Sequence, residues 1–252
     1  MTARQGTARR GLGATTRLDA WWIGPALTGL GFAALIGYAL WSVFIWSAPP
    51  EAGPYRSPFF SPRLAVDWWP LNPALLTVWA PIGFRATCYY FRRAYYRAFL
   101  ADPPACAVGE PGFHLRYSGE TRLPFILQNL HRFFLYPAIV ALVFQWIEAL
   151  LTLGHEGRWG FGLGSAILLL DAAFVGLYVI SCHSFRHLVG GRLDCFSCSA
   201  VNRARHGIWL RLSRLNARHM AFAWISWGLV SLADLYVRLV ALGVIADPRL
   251  VL

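Results

Sequence analysis

The feature that most constrains this sequence is a series of long apolar segments. Residues 20–46 contain no charged side chain. A helix needs about 20 mostly apolar residues to cross the hydrocarbon core of a bilayer, so this segment predicts a membrane span. It is too long and too rich in Trp for the apolar region of a cleaved signal peptide, although four Arg residues precede it. We therefore expect a retained first span.

Four further segments are long and apolar enough to be spans. The weakest, 71–91, is interrupted by Pro73 and Pro81 and contains Arg85. Such breaks are tolerated where neighbouring helices satisfy the freed backbone groups. The sequence thus predicts an all-α fold, an integral membrane bundle of five transmembrane helices, with a tail at 1–19 and one membrane domain at 20–252. The expected spans are 20–46, 71–91, 123–153, 163–189 and 219–245.

The basic residues predict the orientation of this bundle. All 23 are Arg, and the net charge is +11. Five spans place 17 of them, in three segments, on one side of the membrane and four on the other side. Because positively charged loops face the cytoplasm, we expect a cytoplasmic N-terminus and a multi-pass protein of the cell inner (plasma) membrane. The Arg residues follow the spans and form no single basic domain, so binding of nucleic acid is not expected.

A compact set of possible metal ligands lies between the fourth and fifth spans. His183 and His187 are four residues apart and share one face of a helix. Cys195 and Cys198 form a Cys-x-x-Cys chelate, and Cys182 is a substitute thiolate. This segment falls on the expected inner side, in a reducing compartment where a structural disulfide is disfavoured. The sequence therefore predicts a four-ligand metal site.

Two metals fit two Cys and two His ligands. Zinc accepts this set in a closed tetrahedral site. A Rieske-type [2Fe–2S] cluster has two Cys ligands on one iron and two His ligands on the other. The remaining alternative is that no metal binds, with the His residues as interfacial polar groups and the Cys residues as small buried apolar ones.

A second group of side chains lies near the expected inner ends of the spans and suits a quinone. His and Arg can donate hydrogen bonds to the quinone carbonyl groups, and aromatic side chains can pack on the ring. The alternative is that the charged members are near-interface residues that extend to the headgroups. The predicted quinone-binding residues are His131, Arg132, His219, Tyr89 and Trp224.

A third polar group lies near the expected outer ends of the spans. It consists of Glu148, Asp171, Asp234 and Arg238. Charges at this depth are costly and are rarely unpaired. Asp234 and Arg238 are four residues apart and can pair along a helix, and the other two carboxylates can pair with Arg238 across helices. The group is thus either an ion-pair cluster or a proton route towards the outer side.

Several strings of residues resemble the membrane-anchor subunit of a branch of prokaryotic succinate dehydrogenases and fumarate reductases. The resemblance implies a five-helix anchor that has no enzymatic activity of its own. It also implies docking of an iron–sulfur subunit and a flavoprotein subunit, and electron exchange with menaquinone or another quinone. Membrane lipid and a further small membrane subunit complete the expected partners. The strings lie at 87–97, 104–108, 128–132, 181–193, 215–220 and 234–240.

The resemblance also bears on the cofactor. The branch lacks haem and carries a Rieske-type cluster in its anchor, which agrees with the Cys and His set. Many anchors of the wider class hold haem b through His residues on several spans, whereas this second span has no His. Two alternatives remain. One is an anchor with haem b between His131 and one of His183, His187 or His219, and the other is a structural membrane scaffold with a Cys2His2 zinc site.

Overall fold

The protein is predominantly helical in the part of the chain that the structure describes. This computed structural model describes residues 14–15, 17–46, 49–62, 68–102, 108–110, 121–122, 126–155, 158–191 and 193–251. The helices are α1 (Ile23–Leu40), α2 (Leu75–Thr87), α3 (Tyr89–Leu100), α4 (Ile126–Leu151), α5 (Leu163–Ile180), α6 (His183–Gly190), α7 (Ala200–Asn216) and α8 (His219–Ala241). The strands are β1 (Glu51–Ala52), β2 (Tyr55–Arg56), β3 (Gly154–His155), β4 (Arg158–Gly162) and β5 (Arg249–Val251).

Four helices within the described residues are long and apolar enough to cross a membrane. They are α1 with a π-helical continuation to Ile45, α4, α5 and α8. The segment expected as the second span is divided at Cys88, whose extended backbone separates α2 from α3. Neither of these two helices reaches the length of a span by itself. The count of five spans and the cytoplasmic N-terminus therefore stay predictions.

The fourth apolar helix is shorter than the sequence pattern predicts. The expectation of one helix over 163–189 is wrong, because α5 ends at Ile180 and α6 begins at His183. Cys182 lies between them in extended conformation, and its sulfur accepts the backbone N–H of Ser184 at 3.3 Å. The apolar run ends at Ile180, and the polar residues Ser181 and His183 flank Cys182 at the break.

The short strands show which helix ends lie together. Strand β5, which follows α8, pairs with β4, which lies between α4 and α5. Asp247 accepts hydrogen bonds from the Tyr236 hydroxyl at 2.6 Å and from the backbone N–H of Gly164 at 2.9 Å. The end of α4, the start of α5 and the end of α8 therefore meet at one end of the bundle, called here the Arg-poor end. The starts of α4 and α8 and the end of α5 form the Arg-rich end.

Close approach of α2 to α4 depends on a glycine. A Cβ atom at Gly83 would overlap the ring of Phe134 on α4. Phe84, the next residue, and Thr87, one turn later, are buried against the start of α4. The missing side chain thus brings two helix surfaces together at the level of His131.

A buried ion pair joins α8 to α1 and to the loop between α1 and α2. Asp234 pairs with Arg238 at 3.1 Å, and the two side chains are 0% and 1% exposed. The Asp234 carboxylate also accepts the hydroxyls of Tyr38 and Ser42, each at 2.6 Å, and that of Ser57. Arg238 donates to the Ser42 carbonyl oxygen at 2.8 Å. Because both charges are paired and hydrogen-bonded, the pair holds three segments together at low electrostatic cost.

We predict that Asp234→Asn strongly destabilises the protein. The substitution leaves the buried Arg238 guanidinium without its counter-charge, a change that typically costs about 3–5 kcal/mol. The expected result is a lower thermal midpoint of the purified protein and a lower yield of folded protein. The control is Arg17→Gln, which removes an exposed pair with Asp19 and leaves the midpoint unchanged. A midpoint for Asp234→Asn equal to that of the unmodified protein would contradict this account.

Candidate functional site

Two cysteines and two histidines come together towards the Arg-rich end of the bundle. The Nε2 atom of His131 lies 3.0 Å from the sulfur of Cys182. The Nε2 atom of His219 lies 3.4 Å from the sulfur of Cys88. The exposed fraction is 1% for both cysteines and for His219, and 7% for His131. We call these four residues the Cys–His cluster.

The helix breaks and helix starts of the bundle position this cluster. Cys88 lies between α2 and α3, and Cys182 lies between α5 and α6. His219 is the first residue of α8, and His131 lies near the start of α4. Both sulfurs are therefore carried by short non-helical connections, which let them reach an imidazole on a neighbouring helix.

Hydroxyl groups fix the orientation of the two imidazoles. The Thr87 hydroxyl donates to the Gly83 carbonyl oxygen at 2.7 Å, so it accepts from the Nδ1–H of His131 at 3.0 Å. The Ser181 hydroxyl donates to the Tyr178 carbonyl oxygen at 3.2 Å, so it accepts from the Nδ1–H of His219 at 2.8 Å. A hydroxyl has only one hydrogen to donate, which assigns the Nδ1–H tautomer to both rings. In both histidines the lone pair of Nε2 thus faces a cysteine sulfur.

Aromatic rings enclose both imidazoles. The ring of Phe84 stacks on His131 with centroids 4.3 Å apart, and the ring of Tyr178 stacks on His219 with centroids 4.8 Å apart. Such packing holds the rings in one orientation and keeps them dry. Metal-binding histidines are commonly fixed in this way, with the second ring nitrogen hydrogen-bonded and an apolar shell outside.

A large apolar cavity adjoins the cluster. Its volume is about 690 Å³, which lies within the usual range for ligand cavities. Phe84 and Tyr178, the two rings that stack on the histidines, form part of its wall. A molecule in the cavity is therefore separated from each imidazole by a single aromatic ring.

One cation lines this cavity. The Arg85 guanidinium donates to the Ala223 carbonyl oxygen and to the Ser226 hydroxyl, both at 3.0 Å. It also lies 4.8 Å from the centroid of the Tyr178 ring. No carboxylate pairs with Arg85 among the residues that the structure describes. The remaining N–H groups of this guanidinium are thus available to a polar group bound in the cavity.

Comparison with known proteins identifies the family. The sequence matches the family described as actinobacterial succinate dehydrogenase subunit SdhC over residues 23–243. The chain belongs to this family. A solved structure, the "Mycobacterium smegmatis Sdh1 complex in the apo form", contains a chain that is similar to this one, with 41% sequence identity and a TM-score of 0.80. The match covers 92% of each chain. A search of curated proteins gave no match.

The short strings of residues led to the expectation of a succinate dehydrogenase membrane anchor. The family match and the similar solved structure confirm it. As such a subunit, with several apolar helices, the protein is a multi-pass protein of the inner membrane. It has partner subunits in the succinate dehydrogenase complex.

The predicted ligand set between the fourth and fifth spans is arranged as two separate pairs. The rings of His183 and His187 have centroids 4.5 Å apart, while Cys195 and Cys198 form a disulfide with each other. Partial burial lowers the pKa of His183, and the neighbouring charges of His187 and Arg186 lower it further. No group of three or more His, Cys, Asp or Glu side chains surrounds one metal position in the described part of the chain. The four-ligand site at these positions stays a prediction.

The predicted quinone-binding residues are divided between two environments. His131 and His219 are buried in the Cys–His cluster. Arg132 and Tyr89 are exposed, with the Arg132 guanidinium 4.8 Å from the Phe133 ring centroid. Trp224 packs on Phe32 with ring centroids 4.7 Å apart. The wall of the large cavity is formed by other residues.

The four charged residues of the third polar group also have separate partners. Asp234 and Arg238 form the ion pair described above. Glu148 pairs with Arg56 at 2.8 Å instead of Arg238. Asp171 accepts a hydrogen bond from Gln145 Nε2 at 2.6 Å.

Sequence reasoning missed Cys88 as a partner of a histidine, and Arg85 as a cavity residue. The only sequence signal for them is a cysteine and an arginine inside an interrupted apolar segment. Their partners are distant in sequence, since Cys88 and His219 are separated by 131 positions. Only the packing of the bundle brings these residues together.

Proposed function

We propose that this subunit anchors a succinate:quinone oxidoreductase (succinate dehydrogenase/fumarate reductase) in the membrane and passes electrons to a membrane quinone. It would dock the iron–sulfur and flavoprotein subunits at its Arg-rich end. The observation that carries this proposal is the juxtaposition of a buried Cys–His cluster with a 690 Å³ apolar cavity.

The Cys–His cluster fits a Rieske-type [2Fe–2S] group in the kind and number of its donor atoms. Two cysteines and two histidines are the ligands of such a group. The hydroxyls of Thr87 and Ser181 hold the Nδ1–H groups, which leaves each Nε2 free to bind a metal. We therefore assign the role of ligands to Cys88, Cys182, His131 and His219. When bound, the group supplies a one-electron carrier inside the membrane.

The predicted set of His183, His187, Cys195 and Cys198 is the alternative ligand set. The buried cluster is favoured because its histidines face sulfur atoms directly, whereas the two cysteines of the alternative are joined in a disulfide. Haem b is less well supported than the cluster, since a haem held by two histidines would give no role to the cysteine sulfurs that lie 3.0 and 3.4 Å from the two Nε2 atoms. The other alternative is a structural membrane scaffold that binds zinc. The metal content of the purified complex distinguishes it from an anchor with an iron–sulfur group.

The cavity suits a quinone by its chemistry. Its wall is mostly apolar, as required for the isoprenoid tail and ring of a quinone such as menaquinone. Arg85 offers N–H donors to a quinone carbonyl group. The rings of Phe84 and Tyr178 lie between the cavity and the two imidazoles. We propose that the quinone head group binds beside Arg85.

We predict that Cys88→Ser and Cys182→Ser each remove iron from the membrane domain. Serine oxygen is a poor substitute for a thiolate ligand of an iron–sulfur group. Iron and acid-labile sulfide in the purified complex should each fall by the content of one [2Fe–2S] group, and quinone reduction should be lost. Succinate oxidation with a soluble dye should be retained, because that reaction needs only the soluble subunits.

The matched control is the double substitution Cys195→Ser with Cys198→Ser, which should leave the iron content unchanged. Loss of iron in this control alone would instead support the alternative ligand set of His183, His187, Cys195 and Cys198. One zinc per chain, or a haem b absorption band in the unmodified complex, would contradict the assignment of an iron–sulfur group.

We also predict that Arg85→Met raises the KM for quinone about 10- to 100-fold. A hydrogen bond to a charged group is worth roughly 1.5–3 kcal/mol, and each 1.4 kcal/mol corresponds to about tenfold in affinity. The measurement is steady-state quinone reduction by the purified complex, together with dye reduction as a check on the soluble subunits. Arg132→Met, on the exposed face of α4, should leave the KM unchanged. The reverse result would place the quinone beside Arg132.

A further inference from the structure

A smaller polar pocket lies at the Arg-poor end and touches the large cavity. Its volume is about 110 Å³. Pro58, Ser61 and Gln145 line both the pocket and the cavity. These three residues are therefore the boundary between a polar opening and the apolar interior.

Two buried polar atoms at or next to this boundary have no hydrogen-bond partner among the described residues. They are the hydroxyl oxygen of Ser61 and the Oδ1 atom of Asp171. Asp171 is 0% exposed, and its other oxygen accepts from Gln145 Nε2 at 2.6 Å. Buried polar atoms are nearly always paired, so two unpaired ones at a junction indicate a place for water or for proton exchange.

The outer part of the pocket is lined by carboxylates. Glu51 and Glu148 both pair with Arg56, at 3.1 Å and 2.8 Å, and their side chains are 41% and 20% exposed. Carboxylates in this position can exchange protons with solvent. The pocket thus gives a polar connection from the Arg-poor face to Gln145.

Asp171 and Asp234 are both buried carboxylates near the Arg-poor end, but they differ in their hydrogen-bond partners. Asp234 is saturated, because three hydroxyls and the guanidinium of Arg238 hold its oxygens. Among the described residues, one oxygen of Asp171 has no hydrogen-bond donor, and the cation that interacts with Asp171 electrostatically is Arg85 on α2. Asp234 is therefore suited to a structural role, and Asp171 to a role that involves a proton.

We propose that Asp171 relays protons from the Arg-poor face to the quinone in the large cavity. The inference rests on the proposed quinone function. Quinone reduction takes two electrons, which succinate oxidation supplies through the complex, and two protons, so that each C=O becomes C–O–H. The Asp171 carboxyl gives up a proton that passes along water held by Gln145 and Ser61 to a quinone oxygen. The carboxylate then takes a replacement proton from the pocket beside Glu148.

The test uses the purified complex in proteoliposomes with a pH dye in the lumen. Succinate added outside reaches only complexes whose soluble subunits face outward, and in these the Arg-poor end faces the lumen. On reduction of a short-chain quinone, the lumen should become alkaline by about one proton per electron. Asp171→Asn should slow quinone reduction about 100-fold, abolish the lumenal change and leave the KM for quinone and the dye-linked oxidation of succinate unchanged. Asp171→Glu should restore both signals in part.

The matched control is Ser165→Ala, another buried polar position on α5, which lines neither the pocket nor the cavity and should behave as the unmodified complex. If the Asp171→Asn complex fails to assemble, the lumenal pH change of the unmodified complex still tests whether the protons come from the Arg-poor face. Quinone reduction without a lumenal pH change, or with a normal rate in Asp171→Asn, would overturn the relay and leave the proposed function standing. Absence of quinone reduction in the unmodified complex would overturn both.

Discussion

The arrangement of this protein depends on the contacts between two cysteine sulfurs and two histidine rings inside the bundle. A membrane-buried segment must satisfy its own polar groups, so breaks in helices are tolerated only where other groups compensate. Here the breaks at Cys88 and Cys182 are used to aim sulfur atoms at imidazoles on other helices. The hydroxyls of Thr87 and Ser181 complete the arrangement by holding the opposite ring nitrogens.

The two ends of the bundle handle their polar groups differently. Near the Arg-rich end, the Cys–His cluster is enclosed by aromatic rings and adjoins the apolar cavity. At the Arg-poor end, the Asp234–Arg238 pair ties α8 to α1 and to the following loop. Both charges of that pair have partners, so the fold depends on keeping both of them, while Asp171 retains an oxygen without a partner among the described residues. This division separates the groups that maintain the structure from those that we assign to electron and proton transfer.

Much of the fold follows from periodicity and composition, because apolar length directly reports membrane helices. The segments around 20–46, 123–153 and 219–245 each correspond to one helix of spanning length. The breaks at Cys88 and Cys182 were not predicted, because aromatic residues continue after Cys88 and because the expected fourth span was extended across the polar residues at 181–184. The family was also recognisable from short strings, and the family match confirms it.

The site was harder to predict for a physical reason. Cys195 and Cys198, with His183 and His187, form a conspicuous pattern because they are close in sequence. The contacts of Cys88 with His219 and of His131 with Cys182 join residues that are 131 and 51 positions apart. Such contacts depend on which helices are neighbours in the bundle, and one sequence does not contain that information. His131 and His219 were predicted to bind quinone; the structure places both in the Cys–His cluster, and their role stays a prediction.

The most direct test of the central claim is paramagnetic resonance of the reduced complex after labelling all histidines with nitrogen-15. Binding of a [2Fe–2S] group by His131 and His219 predicts hyperfine coupling of the reduced centre to two labelled nitrogens. Signals from iron–sulfur centres without any coupling to labelled nitrogen would contradict the assignment.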